Sequence, residues 1–180
     1  MTTYIPDAIM LSAGLLIARL VLGLALAAHG AQKLFGWFGG QGLEGTGRYF
    51  ESVGFRPGRR LALIAGLSEF GGGLLTALGL FGPIGPGLMV AVMIVAMSQH
   101  IGRGFFATNN GVETPLLYFT GGLMLACTGP GAYALDAVLG LRAAREFVGI
   151  VLALALIGGL GALALRHREA PTPAAGGRQA

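Results

Sequence analysis

Charge is what this 180-residue chain has least of. Asp, Glu, Lys and Arg make up 11% of it, whereas soluble domains carry about 25%. Hydrophobic residues make up 54%, and the mean hydropathy is +0.72. A water-soluble domain is excluded, and an integral membrane protein is implied. Cysteine is almost missing. The single Cys127 excludes an intrachain disulfide, a CxxC redox pair and a CxxCH haem attachment site. Twelve basic residues against eight acidic ones leave a net charge of +4. The positives flank apolar runs instead of forming a soluble basic face, so nucleic acid is not an expected partner. The first residues lack a positive n-region, and the apolar run behind them is too long for a signal peptide. That run is therefore expected to be kept as a helix.

What the chain has in abundance is long apolar stretches. About 20 apolar residues span the hydrocarbon of a bilayer. Five runs are candidates: 9–31, 61–81, 84–101, 115–128 and 147–165. They predict an all-α, polytopic transmembrane bundle. The fourth run rises only about 21 Å against about 30 Å of hydrocarbon. Either its helix starts below the surface, or the polar stretch 103–113 dips into the membrane, which is tolerated only where backbone is buried or lines a cavity. The stretch 43–53 is read as lying on the membrane surface. Lys33, Arg48, Arg56, Arg59, Arg60, Arg103 and the tail arginines fall on one side, with Arg142 and Arg145 on the other. The positive-inside rule then puts the N-terminus outside and the C-terminus in the cytoplasm.

Ionisable groups within such runs are costly and mark sites. Arg19 and Glu69 lie about ten and twelve residues from the shared outer end, a depth difference of about 3 Å. An intramembrane ion pair between them is predicted, either as a structural register lock or with Glu69 as a titrating group. At the other boundary the first run ends in His29-Gly30-Ala31-Gln32-Lys33-Leu34-Phe35-Gly36-Trp37-Phe38. His29, Gln32 and Lys33 share a helix face. His100 approaches the same side, as do Asn109, Asn110 and Glu113. A ligand pocket of these residues is one reading, and ordinary interfacial side chains snorkelling to headgroups is the other. Phe35 and Trp37 belong to an interfacial aromatic belt or to the wall of a flat-ring ligand site. Two histidines on different helices meet the minimum for haem, but nothing else supports haem. No metal site is predicted, since zinc asks for about four ligands. Gly71-Gly72-Gly73 favours close helix packing, and Gly158-Gly159-x-Gly161 does too, with another copy of the chain as one partner for the latter.

These residues resemble the DoxX family of bacterial membrane proteins. The resemblance runs through Arg19-Leu20-Val21-Leu22-Gly23, His29-Gly30-Ala31-Gln32-Lys33-Leu34-Phe35-Gly36 and Glu69-Phe70-Gly71-Gly72. It continues through Gly104-Phe105-Phe106, Asn110-Gly111-Val112-Glu113-Thr114-Pro115 and Thr128-Gly129-Pro130-Gly131. It implies a four-helix core over 9–141; the apolar run within 142–168 departs from that pattern as an additional transmembrane helix, and the Pro/Ala/Gly-rich tail, 169–180, is expected to be disordered. The resemblance also implies residence in the bacterial cytoplasmic (inner) membrane. Better-studied members are linked to redox, as subunits of a thiosulfate:quinone oxidoreductase or as a membrane scaffold for oxidative-stress partners. By resemblance, this chain is expected to be a quinone-linked redox subunit or a membrane anchor for redox proteins. Its quinone ring would lie near Phe35 and Trp37, with hydrogen bonds from His29 or Lys33 and protons relayed by Glu113 or Glu69. No electron carrier is recognisable in the sequence, so a partner would supply electrons. The alternative is a non-catalytic protein that binds or transports a lipid or small metabolite in the same pocket.

Overall fold

The computed structural model describes residues 7–166. The expected tail, 169–180, lies outside them. The chain is helical, in the order α1 (Ala8–Phe35), α2 (Gly42–Ser52), α3 (Gly58–Leu78), α4 (Ile84–His100), α5 (Glu113–Thr128), α6 (Leu135–Val138) and α7 (Arg145–Ala164). Among the described residues, α1, α3 and α7 are long and apolar enough to cross a membrane, and α4 is a shorter apolar helix. Helices satisfy every backbone polar group internally, as hydrocarbon demands. Their ends follow local chemistry. The Asp7 carboxylate accepts from Met10 N at 2.7 Å and caps α1. Gly79, at φ +64°, closes α3 with Leu80 N donating to Leu75 O. That left-handed glycine is why α3 stops at Leu78 and not at 81.

α1 and α3 form the tightest pair, and α3, α4 and α5 follow in sequence around the bundle. The α1–α3 contact is backbone against backbone. Gly23 and Gly30 on α1 meet Gly73 and Gly66 on α3, each pair spaced by seven residues. A Cβ on Gly23 would lie 2.6 Å from Gly73 O, and one on Gly73 would lie 2.5 Å from Ala27 N. A Cβ on Gly30 would strike Phe70 N. Small residues permit such approaches where lipid offers no hydrophobic drive between helices. Leu26, Met89 and Met93 are buried behind this seam, with Tyr118 and Phe119 packed against them. Outward-facing Ile17, Val21, Ile64, Leu67, Ile150 and Ile157 leave the outside apolar and suited to lipid.

The extra C-terminal run is a helix, α7, docked along α4. Gly159 seats on Ala91 O and Ile94, and Gly87 seats under Val151. The 43–53 stretch falls in a short amphipathic helix, α2, lying on α3 at the end where α1 finishes and α3 begins. The C-termini of α4 and α7 meet the same end, which also carries Arg48, Arg56, Arg59, Arg60 and Arg103. It is called the basic end below.

The fourth run begins two residues earlier than expected, at Glu113, so α5 rises about 24 Å. The preceding loop is exposed over 101–110 and pairs with itself. Val112 N donates to Gly104 O at 3.2 Å, and Glu113 N donates to Phe105 O at 2.9 Å.

If the glycine seam sets the bundle, two neighbouring glycines must respond oppositely to one added methyl. A Cβ on Gly71 meets nothing within 4 Å. Gly71→Ala is expected to leave thermal stability unchanged or to raise it by up to about 1 kcal/mol through helix propensity. Gly73→Ala is expected to lower it by about 1–3 kcal/mol through overpacking. Thermal unfolding of the purified protein compares the two.

Candidate functional site

Glu69 is 95% buried by whole-residue exposure, and its carboxylate does not meet Arg19. Lys33 Nζ donates to Glu69 Oε2 at 2.5 Å. The predicted Arg19–Glu69 ion pair is therefore corrected to Lys33–Glu69. Arg19 stands level with 77–79 of α3, eight to ten residues and so about 12–15 Å beyond Glu69. Counting from the outer helix ends misjudged this register. α1 overshoots the end of α3, and its first turns pack on the segment after α5, where Ala132 N donates to Ser12 Oγ.

Arg19 is instead held by backbone oxygens. Nη1 donates to Ala77 O at 3.2 Å and Nη2 to Tyr133 O at 2.8 Å, while Nε, among the described residues, has no partner. Gly79 lacks the Cβ that would collide with Nη1. The neighbouring charge is Asp136, whose carboxylate accepts from Phe81 N at 2.8 Å and Gly82 N at 2.6 Å. This cluster staples α1, the α3–α4 turn and α6 at the end away from the basic one. Asp136→Ala would strand two part-buried N–H groups, of Phe81 and Gly82. It is expected to lower thermal stability by about 1–3 kcal/mol, measured by unfolding of the purified variant.

Lys33 and Glu69 border empty space. A cavity of about 710 Å³ lies between α3, α4 and α7, and α2 covers its basic end. Its walls are Ile64, Leu88, Ala91, Val95, Val151, Leu154 and similar side chains. Polar groups gather where α2 closes it: Lys33, Ser68, Glu69, Gln99 and His100. His100 Nδ1 lies 2.5 Å from Asn110 O. A carbonyl only accepts, so Nδ1 is the donor in this bond. His100 thus joins the cavity lining to the exposed loop.

Of the residues expected to form one pocket, Lys33 and His100 line this cavity and the others do not. His29 Nδ1 donates to Gln32 Oε1 at 3.1 Å, and Gln32 Nε2 donates to Phe38 O at 3.2 Å. His29 packs edge-on to Tyr118 of α5, with ring centroids 6.1 Å apart. Phe35 stacks with Trp37 at 5.0 Å and edge-on to Phe70 at 5.5 Å. Phe35 and Trp37 are half exposed, an arrangement of the interfacial-belt kind and not a cavity wall. The Glu113 carboxylate accepts from Ala107 N at 2.8 Å and braces the loop that holds Asn109 and Asn110. Sequence reasoning missed the walls from α2 and α7. Tyr49 and Phe50, with Phe35 and Trp37, left the choice between interfacial belt and ligand wall open, and nothing in α7 beyond Glu146 marks which face looks inward. Among the described residues, no three His, Cys, Asp or Glu side chains gather as a metal site.

A bundle of apolar helices with buried charge at both ends defines a multi-pass integral membrane protein. A sequence model of the DoxX family matches residues 14–107. The chain is also 32% identical over 133 residues to Inner membrane protein YqjF of Escherichia coli (strain K12), covering 70% of this chain and 92% of that protein. No solved structure matches significantly. The chain belongs to the DoxX family, and it is a multi-pass protein of the inner membrane.

Removing one member of a buried pair strands the other, whereas removing both can be nearly neutral. Lys33→Met alone is expected to cost about 3–5 kcal/mol of stability, and Lys33→Met with Glu69→Met far less. Thermal unfolding of the two variants gives the comparison.

Proposed function

We propose that this protein holds a quinone-like molecule in the α3–α4–α7 cavity and serves as a quinone-linked subunit, or the membrane anchor, of a redox assembly. The observation that carries this reading is the charge balance of the cavity's polar end. Lys33 is matched by Glu69 at 2.5 Å, so an anionic phosphate or carboxylate head would leave one charge in excess. A neutral head with carbonyl oxygens fits that balance. Lys33 has three N–H groups and gives one to Glu69, which leaves donors for a carbonyl. Gln99 Nε2 donates to Ser98 Oγ, which leaves the amide oxygen as an acceptor. His100, tied to the exposed loop through Asn110 O, stands between the cavity and the basic surface as a route for protons.

Reduction of a quinone to the hydroquinone takes two electrons and two protons. In this reading the electrons come from a partner protein, and the protons come by way of His100 and Lys33. The head-group position near Phe35 and Trp37 is not retained, because that cluster lies off the cavity.

Equilibrium binding of an isoprenoid quinone to the purified protein tests the proposal. The wild type is expected to bind. The double variant Lys33→Met/Glu69→Met, which keeps its charge balance, is expected to bind about ten- to a hundredfold more weakly through loss of one charged hydrogen bond. Unchanged binding by that variant contradicts the site. A phospholipid retained through purification in place of quinone, seen by mass spectrometry, favours lipid or metabolite binding in the same cavity.

A further inference from the structure

α3 and α7 both lie against α4 but scarcely touch each other. The cavity therefore has a seam between them and not a wall. Along α4 its lining runs from Ile84 to His100, about 24 Å at 1.5 Å per residue. On α3 only residues 61–69, beside the basic end, reach it. The far half of the groove is formed by α4 and α7 alone and faces hydrocarbon. Leu154 lines it and is 61% exposed. Gly158 lines the cavity one turn nearer the basic end, and a Cβ built there meets nothing within 4 Å. Open space beside a glycine, on the helix that forms the groove's outer edge, leaves the passage unobstructed.

The basic end is shut by comparison. Tyr49 and Phe50 of α2 cover it. Just beyond α7, Arg166 Nε donates to Val53 O at 2.7 Å, and the guanidinium lies 5.5 Å from the centroid of the Phe55 ring. These contacts tie the end of α7 to the segment after α2, so α7 is anchored at the polar end and free along the seam.

We propose that the α3–α7 seam is a lateral portal from the bilayer, and that the molecule it admits carries one neutral polar head and a long apolar tail. This inference rests on the cavity reading above and adds a route and a tail. The head passes between Ile64 and Leu154 to reach Lys33, Glu69 and Gln99. The tail remains in the α4–α7 groove and continues into lipid past Leu154 and Phe147. The direct aqueous route is closed by α2 and by the Arg166 contacts.

The test uses the full-length protein in phosphatidylcholine nanodiscs, with a decaprenyl-tailed benzoquinone and its tail-less parent as probes. Leu154→Trp fills the tail groove, and Gly158→Phe fills the seam one turn nearer the head. Leu154→Trp is expected to weaken the tailed probe by about tenfold or more while leaving the tail-less probe within about twofold of wild type, and Gly158→Phe to weaken both. If wild type binds both probes and Leu154→Trp binds the tailed one equally well, the portal is wrong and the head site stands. If wild type binds neither probe, the cavity reading falls and takes the portal with it.

Discussion

The glycine seam between α1 and α3 is the constraint on which everything else rests. Gly23 against Gly73 and Gly30 against Gly66 leave no room for a Cβ, so the two helices have one register. That register is what brings Lys33 level with Glu69 and carries Arg19 beyond it. In lipid, apolar side chains gain little by leaving their neighbours for one another, so close backbone packing has to hold helices that elsewhere would be held by a hydrophobic core. The same device recurs more loosely around the bundle. Gly85 sits against Thr76, Gly122 against Pro86 O, and Gly159 against Ala91 O. α4 is the hub of these contacts, and α7 joins the bundle through it alone in any depth.

Two buried polar centres result, and they differ in kind. Arg19 spends its guanidinium on carbonyls of α3 and of the segment after α5, with Asp136 closing the adjacent turn. Its surroundings are filled, and it ties elements together. Lys33 and Glu69 satisfy each other and face a cavity. A matched pair at the edge of an apolar cavity is a place for a neutral polar head. The aromatic and loop clusters around it, Phe35 with Trp37 and Glu113 with Ala107, shape the basic end without reaching the cavity.

Much of the fold was legible in the residues. The apolar runs located α1, α3, α4, α5 and α7 to within a few positions, because each is bounded by glycine, proline or arginine. The stretch 43–53 stands apart from the spanning runs, but it was not legible as the helix α2. Residues near the basic end were grouped on the correct side, and Lys33 and His100 were among them. The pairing of charges was not legible. Depth was counted from helix ends, and α1, at 28 residues, extends past the 21 residues of α3. Nor was the cavity itself legible. A soluble helix announces its buried face through polar residues on the other, but α7 beyond Glu146 is apolar all round, so the face that lines the cavity carries no mark. His29 illustrates the same limit. Its spacing from Lys33 is right for a shared face, yet Gln32 and Tyr118 occupy its ring.

The central claim is that the Lys33–Glu69 pair forms the polar end of a membrane-facing cavity that holds a neutral-headed molecule. Its most direct test is an experimental structure of the protein taken from its native membrane without delipidation. The account predicts elongated density between α4 and α7, with a head group within hydrogen-bond distance of Lys33 Nζ and the Lys33–Glu69 pair intact. A cavity filled by inward movement of α7, or a phosphate bound by Lys33 with Glu69 turned away, would contradict it.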